Sequence, residues 1–172
     1  MSETDLNEYF SRVRGGDMEA FATIYDELNK PVFIIVYRIV QSKEMAEDIM
    51  QDVFVKLFHS PPDPFVKNKR AWIFKMARNL AIDALRKKTC VDIEESDFAA
   101  EDELDFIVQK WDIESAIKKL PSDEREIISL HISCSMPFKD ISHIIGRSVP
   151  TVYRKYRKAI KTLRDLLDGG NS

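Results

Sequence analysis

The 172-residue chain predicts an all-α protein: two small helical domains joined by an acidic flexible linker, the second containing a helix-turn-helix. Three observations predict it. Apolar residues recur at helical spacing through most of the sequence. Glycine and proline number only 5 and 7, too few for the turns of a strand-rich fold. Residues 91–112 hold nine acids against one base, Lys110, a composition that repels itself and buries little. The boundaries that follow are 1–90, 91–112 and 113–172. A 44% apolar and 32% charged composition places the chain among soluble globular proteins.

The elements follow in order. Leu6, Phe10 and Val13 share one face of a first helix that Gly15 and Gly16 end. Asp17 can cap a second helix carrying Phe21, Ile24, Tyr25 and Leu28. Pro31 fits either the first turn of a further helix over 32–40 or a bend in one long helix. Ser42 offers the cap for a helix from Lys43 to His59, with Met45, Ile49, Val53, Leu57 and Phe58 on its apolar side. Ser60 to Phe65 holds three prolines and reads as a loop. Helical pattern resumes from Ala71 to Lys88. After the acidic segment come Ile113 to Leu120, stopped by Pro121, and Asp123 to His131, with Ser122 as its expected cap. Phe138 to Ile145 and Pro150 to Leu167 complete the set, with Gly146 between them and a frayed end at 169–172.

A formal charge of −3 and a pI near 5.7 argue at first against a nucleic-acid partner. The distribution reverses that. Residues 1–90 carry 14 bases and 13 acids, and residues 113–172 carry 11 bases and 7 acids. Residues 67–90 have eight bases with Asp83 as the one acid, and 147–164 have seven bases and no acid. Both stretches are amphipathic helices. In the first, Ile73, Met76, Ala77, Leu80, Ala81 and Ala84 face one way and Lys75, Arg78, Asn79 and Arg86 the other. In the last helix Val152, Tyr156, Ala159, Ile160, Leu163 and Leu166 oppose Arg154, Arg157, Lys158, Lys161 and Arg164. A solvated basic face is the plain alternative for either helix alone.

Phe138 to Val152 has the layout of a helix-turn-helix: a short helix packing through Phe138, Ile141 and Ile145, then Gly146, then a second helix opening on a Ser-Val-Pro-Thr run. The start of such a second helix approaches phosphates with free amides and reaches base edges in the major groove. Thr151, Tyr153, Arg154, Arg157 and Lys158 supply the polar side chains. Earlier, Phe65 and Lys67 in the proline-rich loop precede Trp72, Lys75, Arg78 and Asn79. Aromatic, cationic and amide groups together suit single-stranded DNA, where base stacking contributes about 1–3 kcal/mol per base. Phe74, by contrast, reads as a core anchor.

These residues resemble a known family. Ala71 to Arg86 is similar to the promoter-melting segment of extracytoplasmic-function sigma factors, small two-domain bacterial sigma factors. Ala46 to Phe58 resembles the polymerase-binding helix of that family, and Leu120 to Leu130 with the helix-turn-helix resembles its C-terminal domain. The resemblance implies a transcription initiation factor that directs core RNA polymerase to promoters. It implies that Asp48, Gln51 and Asp52, one helical face at i, i+3 and i+4, dock on the polymerase. It further implies that Asn79 holds a flipped-out −10 base in a pocket formed by residues 60–69. Phe65, Lys67, Trp72, Lys75 and Arg86 then line the strand. Thr151, Tyr153, Arg154, Arg157 and Lys158 fall on the helix that reads the −35 element. Many relatives carry a basic residue at Tyr153 and a glycine at Pro150, and the pocket loop here is unusually proline-rich, so base preferences do not transfer.

No catalytic constellation, phosphate loop or nucleophile motif is present. Cys90 and Cys134 are too few for a disulfide framework and lack the paired spacing of a zinc site; His131, Cys134 and His143 can be drawn as a metal triad, but structural or solvated histidines are the plainer reading. No enzyme activity, cofactor, metal or small-molecule substrate is expected. The partners expected are core RNA polymerase, promoter DNA and, from the resemblance, an anti-sigma factor. The polar start Met1 to Asp5 is no secretory signal and no apolar run spans a bilayer, so the expectation is a cytoplasmic protein without membrane insertion. The alternatives are a two-domain helix-turn-helix regulator acting without replacing the sigma subunit, and a helical protein-interaction module.

Overall fold

A computed structural model describes residues 2–91 and 109–168. All regular elements among them are helical, and the chain divides into two compact units. In the N-terminal unit, α1 (Glu3–Arg14) opens with a reciprocal cap. The Asp5 amide donates to Ser2 Oγ at 3.2 Å and the Ser2 amide to the Asp5 carboxylate at 2.8 Å. Gly16, at φ +88°, turns the chain into α2 (Met18–Val40), where the Ala20 amide donates to Asp17 Oδ1 at 3.0 Å. Of the two readings of Pro31, the structure shows the single long helix. Gln41 ends it in the left-handed region, and Ser42 caps α3 (Lys43–His59) through the Met45 amide.

Leu6, Phe10, Ile24, Leu28, Ile35, Val53 and Leu57 are sealed from solvent where α1 and α3 pack against α2 and α4. The expected apolar side of α3 needs one correction. Phe58 remains 39% exposed, while Ala46 and Phe54 are buried. Phe58 lies in the last turn of α3 and meets Phe21 in the first turn of α2, ring edge to face at 5.2 Å, at the rim of the bundle. Phe54, one turn earlier, packs on Tyr25 at 4.6 Å. The fourth helix, α4 (Lys69–Val91), buries Ile73, Phe74, Ala77 and Ala81. Alanines at i and i+4 let it approach α2 and α3 closely. Phe74 is the core anchor that the sequence suggests.

In the C-terminal unit, α5 (Gln109–Lys118) starts four residues before the expected Ile113. Most of the predicted acidic linker, 92–108, lies outside the described residues, as do 169–172. Helix reaches into the two ends of that linker, at Val91 and from Gln109. The next helix, α6 (Ser122–Ile128), corrects the expected cap. Pro121 occupies the cap position with no side-chain acceptor, and Ser122 lies inside the first turn. The helix then widens into a π turn, Ser129–Ser133. Helix α7 (Phe138–Ile145) ends on Gly146 at φ +66°, and α8 (Val149–Asp168) follows. Ile141 and Ile144 are the buried apolar side chains of α7, whereas Ile145, expected inside, is half-buried. Ile145 lies only about 40° round from Ile141, on the same side of the helix, but it is the last residue of α7, where the chain turns away at Gly146. Ala116, Leu120, Ile128, Ala159 and Leu163 form a core between α5, α6 and α8.

Candidate nucleic-acid and protein interfaces

On α3 the stripe Ala46, Ile49, Val53 and Leu57 faces the core. That register leaves Asp48, Gln51 and Asp52 exposed together on the opposite side. Glu44 and Glu47 are exposed on the same helix, giving an acidic face suited to a basic protein partner.

The loop before α4 presents Phe65 with 90% of its surface exposed. Asp63 shapes the turn below it. Its carboxylate accepts from the Phe65 amide at 2.8 Å and its carbonyl from the Val66 amide at 3.0 Å. On α4, Lys75, Asn79 and Arg86 are exposed, Trp72 and Arg78 half-buried, and Lys67 is exposed on the loop. Arg86 also lies 3.8 Å from Asp83, a solvated pair of little energetic weight. These groups share one side of the helix with the half-buried Ile82, and just before it Asn68 Oδ1 accepts from the Ala71 amide at 2.8 Å.

Sequence reasoning missed what holds this loop. Lys69 is only 1% exposed. Its ammonium donates to the carbonyls of Val66 at 2.9 Å and Pro64 at 3.2 Å, and to Asn7 Oδ1 on α1. Three donors meet three acceptors, which is how a buried ammonium escapes the desolvation penalty. Glu3 of α1 accepts from the Lys69 and Arg70 amides at 2.8 and 3.0 Å, capping α4 from another helix. Arg14, also on α1, donates to the Pro62 carbonyl. A signal was available: Lys69-Arg70 puts two cations at a helix start, where the dipole disfavours them, so an acid had to come from elsewhere.

In the C-terminal unit, Ser148 Oγ lies 2.8 Å from Thr151 Oγ1 and accepts from the Thr151 amide at 3.4 Å, fixing the start of α8. At 100° per residue, Tyr153, Arg164, Arg157, Lys161, Arg154, Lys158, Thr151 and Lys155 fill a continuous polar arc. Val152, Ala159 and Leu163 are buried on the other side. The two margins of the arc are tied down. Tyr153, 48% exposed, meets the Phe138 ring edge-on at 5.5 Å. At the other margin Lys158 pairs with the 3%-exposed Glu124 at 2.9 Å, and Lys155 pairs with Asp123. Those contacts hold the Asp123 carboxyl below its ordinary range, with the Lys155 hydrogen bond the largest cause. Arg154 and Arg157 are exposed at the centre of the arc, flanked by Lys161, which complements them. Removing Lys158 would also leave the Glu124 carboxylate buried without its cation, so it carries a structural role that sequence did not reveal.

Among the described residues, no group of His, Cys, Asp or Glu could hold a metal ion. His131 stacks on Phe138 at 4.3 Å and bonds the Met136 carbonyl through Nδ1 at 2.8 Å.

The model of the family described as sigma-70 region 2 matches residues 24–90, and that described as sigma-70, region 4 matches residues 110–163. Together they cover well over half of the sequence, one in each compact unit. The chain belongs to the sigma-70 family. Relatives place this sigma factor in the extracytoplasmic-function group. The ECF RNA polymerase sigma factor SigK of Mycobacterium sp. (strain JLS) is 23% identical, over 95% of this chain and 91% of its own length. SigK of Mycobacterium tuberculosis (strain ATCC 25618 / H37Rv) is also 23% identical, over 96% and 95%. Solved structures share the fold. CnrH, in complex with the cytosolic domain of CnrY, gives a TM-score of 0.67 at 21% identity over 96% of this chain and 98% of its own. RpoE from Bartonella quintana, in complex with the anti-sigma factor NepR, gives 0.68 at 20% identity over 88% and 98%. The protein is thus a promoter-directing subunit of RNA polymerase, and catalysis belongs to the polymerase. No described helix is long and apolar enough to cross a membrane.

Proposed function

We propose that the sigma activity divides between the two units at the residues described above. The N-terminal unit, 1–90, docks on core polymerase through Asp48, Gln51 and Asp52. It captures the unwound −10 strand with Phe65, Lys67, Trp72, Lys75, Asn79 and Arg86. The C-terminal unit, 113–172, grips the −35 duplex, and the acidic segment 91–112 tethers the two. The observation that carries this reading is the coexistence in one chain of an exposed acid–amide triad on α3 and two exposed basic helix faces.

Each surface has the chemistry its task needs. An exposed aromatic beside an amide side chain can stack a base and read its edge, while Lys75 and Arg86 hold the phosphates. The start of α8 suits the major groove, with Thr151 and Arg154 in its first two turns and Arg157 and Lys158 following along the phosphates. Tyr153, braced on Phe138, adds an aromatic contact at the margin. We also infer that the factor works in the cytoplasm and is held inactive by an anti-sigma factor. The complexes formed by CnrH and RpoE support that partner.

Charge reversal tests the docking face. Asp48→Lys with Asp52→Lys, in a run-off assay with core polymerase, should abolish initiation at a cognate promoter while leaving duplex binding by the C-terminal unit intact. Unchanged initiation would move the polymerase contact elsewhere. Duplex binding by the parent protein with no stimulation of core enzyme on any promoter would favour a regulator that acts without replacing sigma.

A further inference from the structure

We propose that α1 is a positioning element for −10 selection: Asn7, Arg14 and Lys69 set the shape of the loop 60–68 and thereby its base discrimination. The inference rests on the reading above that this loop captures a −10 base.

The proline-rich loop is short of hydrogen-bond donors. Pro61, Pro62 and Pro64 lack amide hydrogens, so the loop has few donors with which to satisfy its own carbonyls. Asp63 and its neighbours close one turn internally. The carbonyls of Pro62, Pro64 and Val66 are met from outside, by Arg14 on the first and Lys69 on the other two. Those three carbonyls bracket Phe65 on both sides. The loop backbone is thereby pinned above and below the one residue it presents to solvent.

Packing does not require this arrangement. Leu6, Phe10 and Val13 already anchor α1, and Arg14 is exposed, so its contact with Pro62 adds little to the core. Glu3, Asn7 and Arg14 also all precede residue 24, where the family match begins. A site holds its ligand geometry only as well as its supporting contacts do, and a loop released from them samples shapes that accept several bases.

The test uses full-length protein with core polymerase on promoters randomised through the −10 window, sequencing the transcripts to obtain a base preference at each position. Phe65→Ala first marks the positions that the loop reads. Arg14→Met, Asn7→Leu and Lys69→Met should flatten preference at those same positions by about five-fold or more, the lower edge of a single base contact. Preferences elsewhere in the window and affinity for core polymerase should be unchanged. Asn7→Asp, which keeps an acceptor for Lys69, should retain the parental profile. Arg14→Met should melt within a few degrees of the parent, as an exposed substitution does. If Lys69→Met fails to fold, Arg14→Met and Asn7→Leu decide. A profile flattened by Phe65→Ala and untouched by those two overturns the positioning role alone. A profile untouched by Phe65→Ala removes the reading of the loop, and the positioning role with it.

Discussion

Gly146 ends α7 at φ +66°, ψ 39°, and its amide donates to the Ser142 carbonyl, so the turn into α8 depends on a left-handed residue. Substitution at such a position can fail in two ways: the backbone can be strained or the new Cβ can collide. Here a Cβ meets nothing within 4 Å, so strain alone operates. The left-handed region costs an L-residue about 1–2 kcal/mol. Alanine recovers about 0.4–1 kcal/mol of that by restricting the unfolded chain. Gly146→Ala should therefore cost about 1 kcal/mol, a fall of about 4–8 °C in Tm for a domain of this size. Asparagine tolerates the region better and valine worse, so the stability order should run Gly, Asn, Ala, Val. Thermal melting of the full chain by circular dichroism gives the order, and duplex binding should weaken in the same sequence. A loss above about 3 kcal/mol for alanine would indicate a collision and refute the open space. No loss at all would refute the left-handed turn. Gly15 is the opposite case: its φ of −79° is ordinary, but a Cβ would lie 3.2 Å from the Arg12 carbonyl, so contact governs the outcome there.

Two further outcomes follow from burial and charge. Phe10→Ala empties a fully buried site between α1 and its neighbours and should cost about 3–5 kcal/mol by denaturant unfolding; a cost under 1 kcal/mol would mean that α1 is not part of the fold. Lys155→Met should destabilise the C-terminal unit at neutral pH, with a penalty that fades on acidification. The sign follows from the depressed carboxyl of Asp123: its contribution is complete above the unfolded value of about 3.9 and disappears as pH falls through the lower folded value. Parent and variant melting curves compared from pH 7 to pH 3 should converge, and a gap that widens in acid would contradict the pairing.

Local rules made much of the fold legible. Asp17 and Ser42 cap the helices that their positions predict, because a side-chain oxygen three residues before a free amide is a local event. Gly146 is legible for the same reason. Ser122 is the instructive miss. Its residue type suits a cap, yet Pro121 takes the position, having the extended backbone that the helix entry needs. The choice between Phe54 and Phe58 for the core was not local either, since it depended on where α2 begins opposite α3.

For the interfaces, sequence placed the exposed residues correctly because helical period alone decides which side of an amphipathic helix meets water. Asp48, Gln51, Asp52, Lys75, Asn79, Arg154 and Arg157 are all exposed. Periodicity cannot say which charges are already engaged. Lys158 looked equivalent to Arg157 until Glu124 came within 2.9 Å of it.

By itself, the sequence determined the all-α class, most helix boundaries, the separation of acidic and basic stretches, and the family. Those follow from spacing and composition, which a linear chain displays. Only the tertiary structure decided that the proline-rich loop is held by a buried Lys69 and by Asn7 and Arg14 of a helix some fifty to sixty residues away in sequence. A carbonyl without a local donor takes whatever donor folding delivers, and no pattern in the loop itself names that donor.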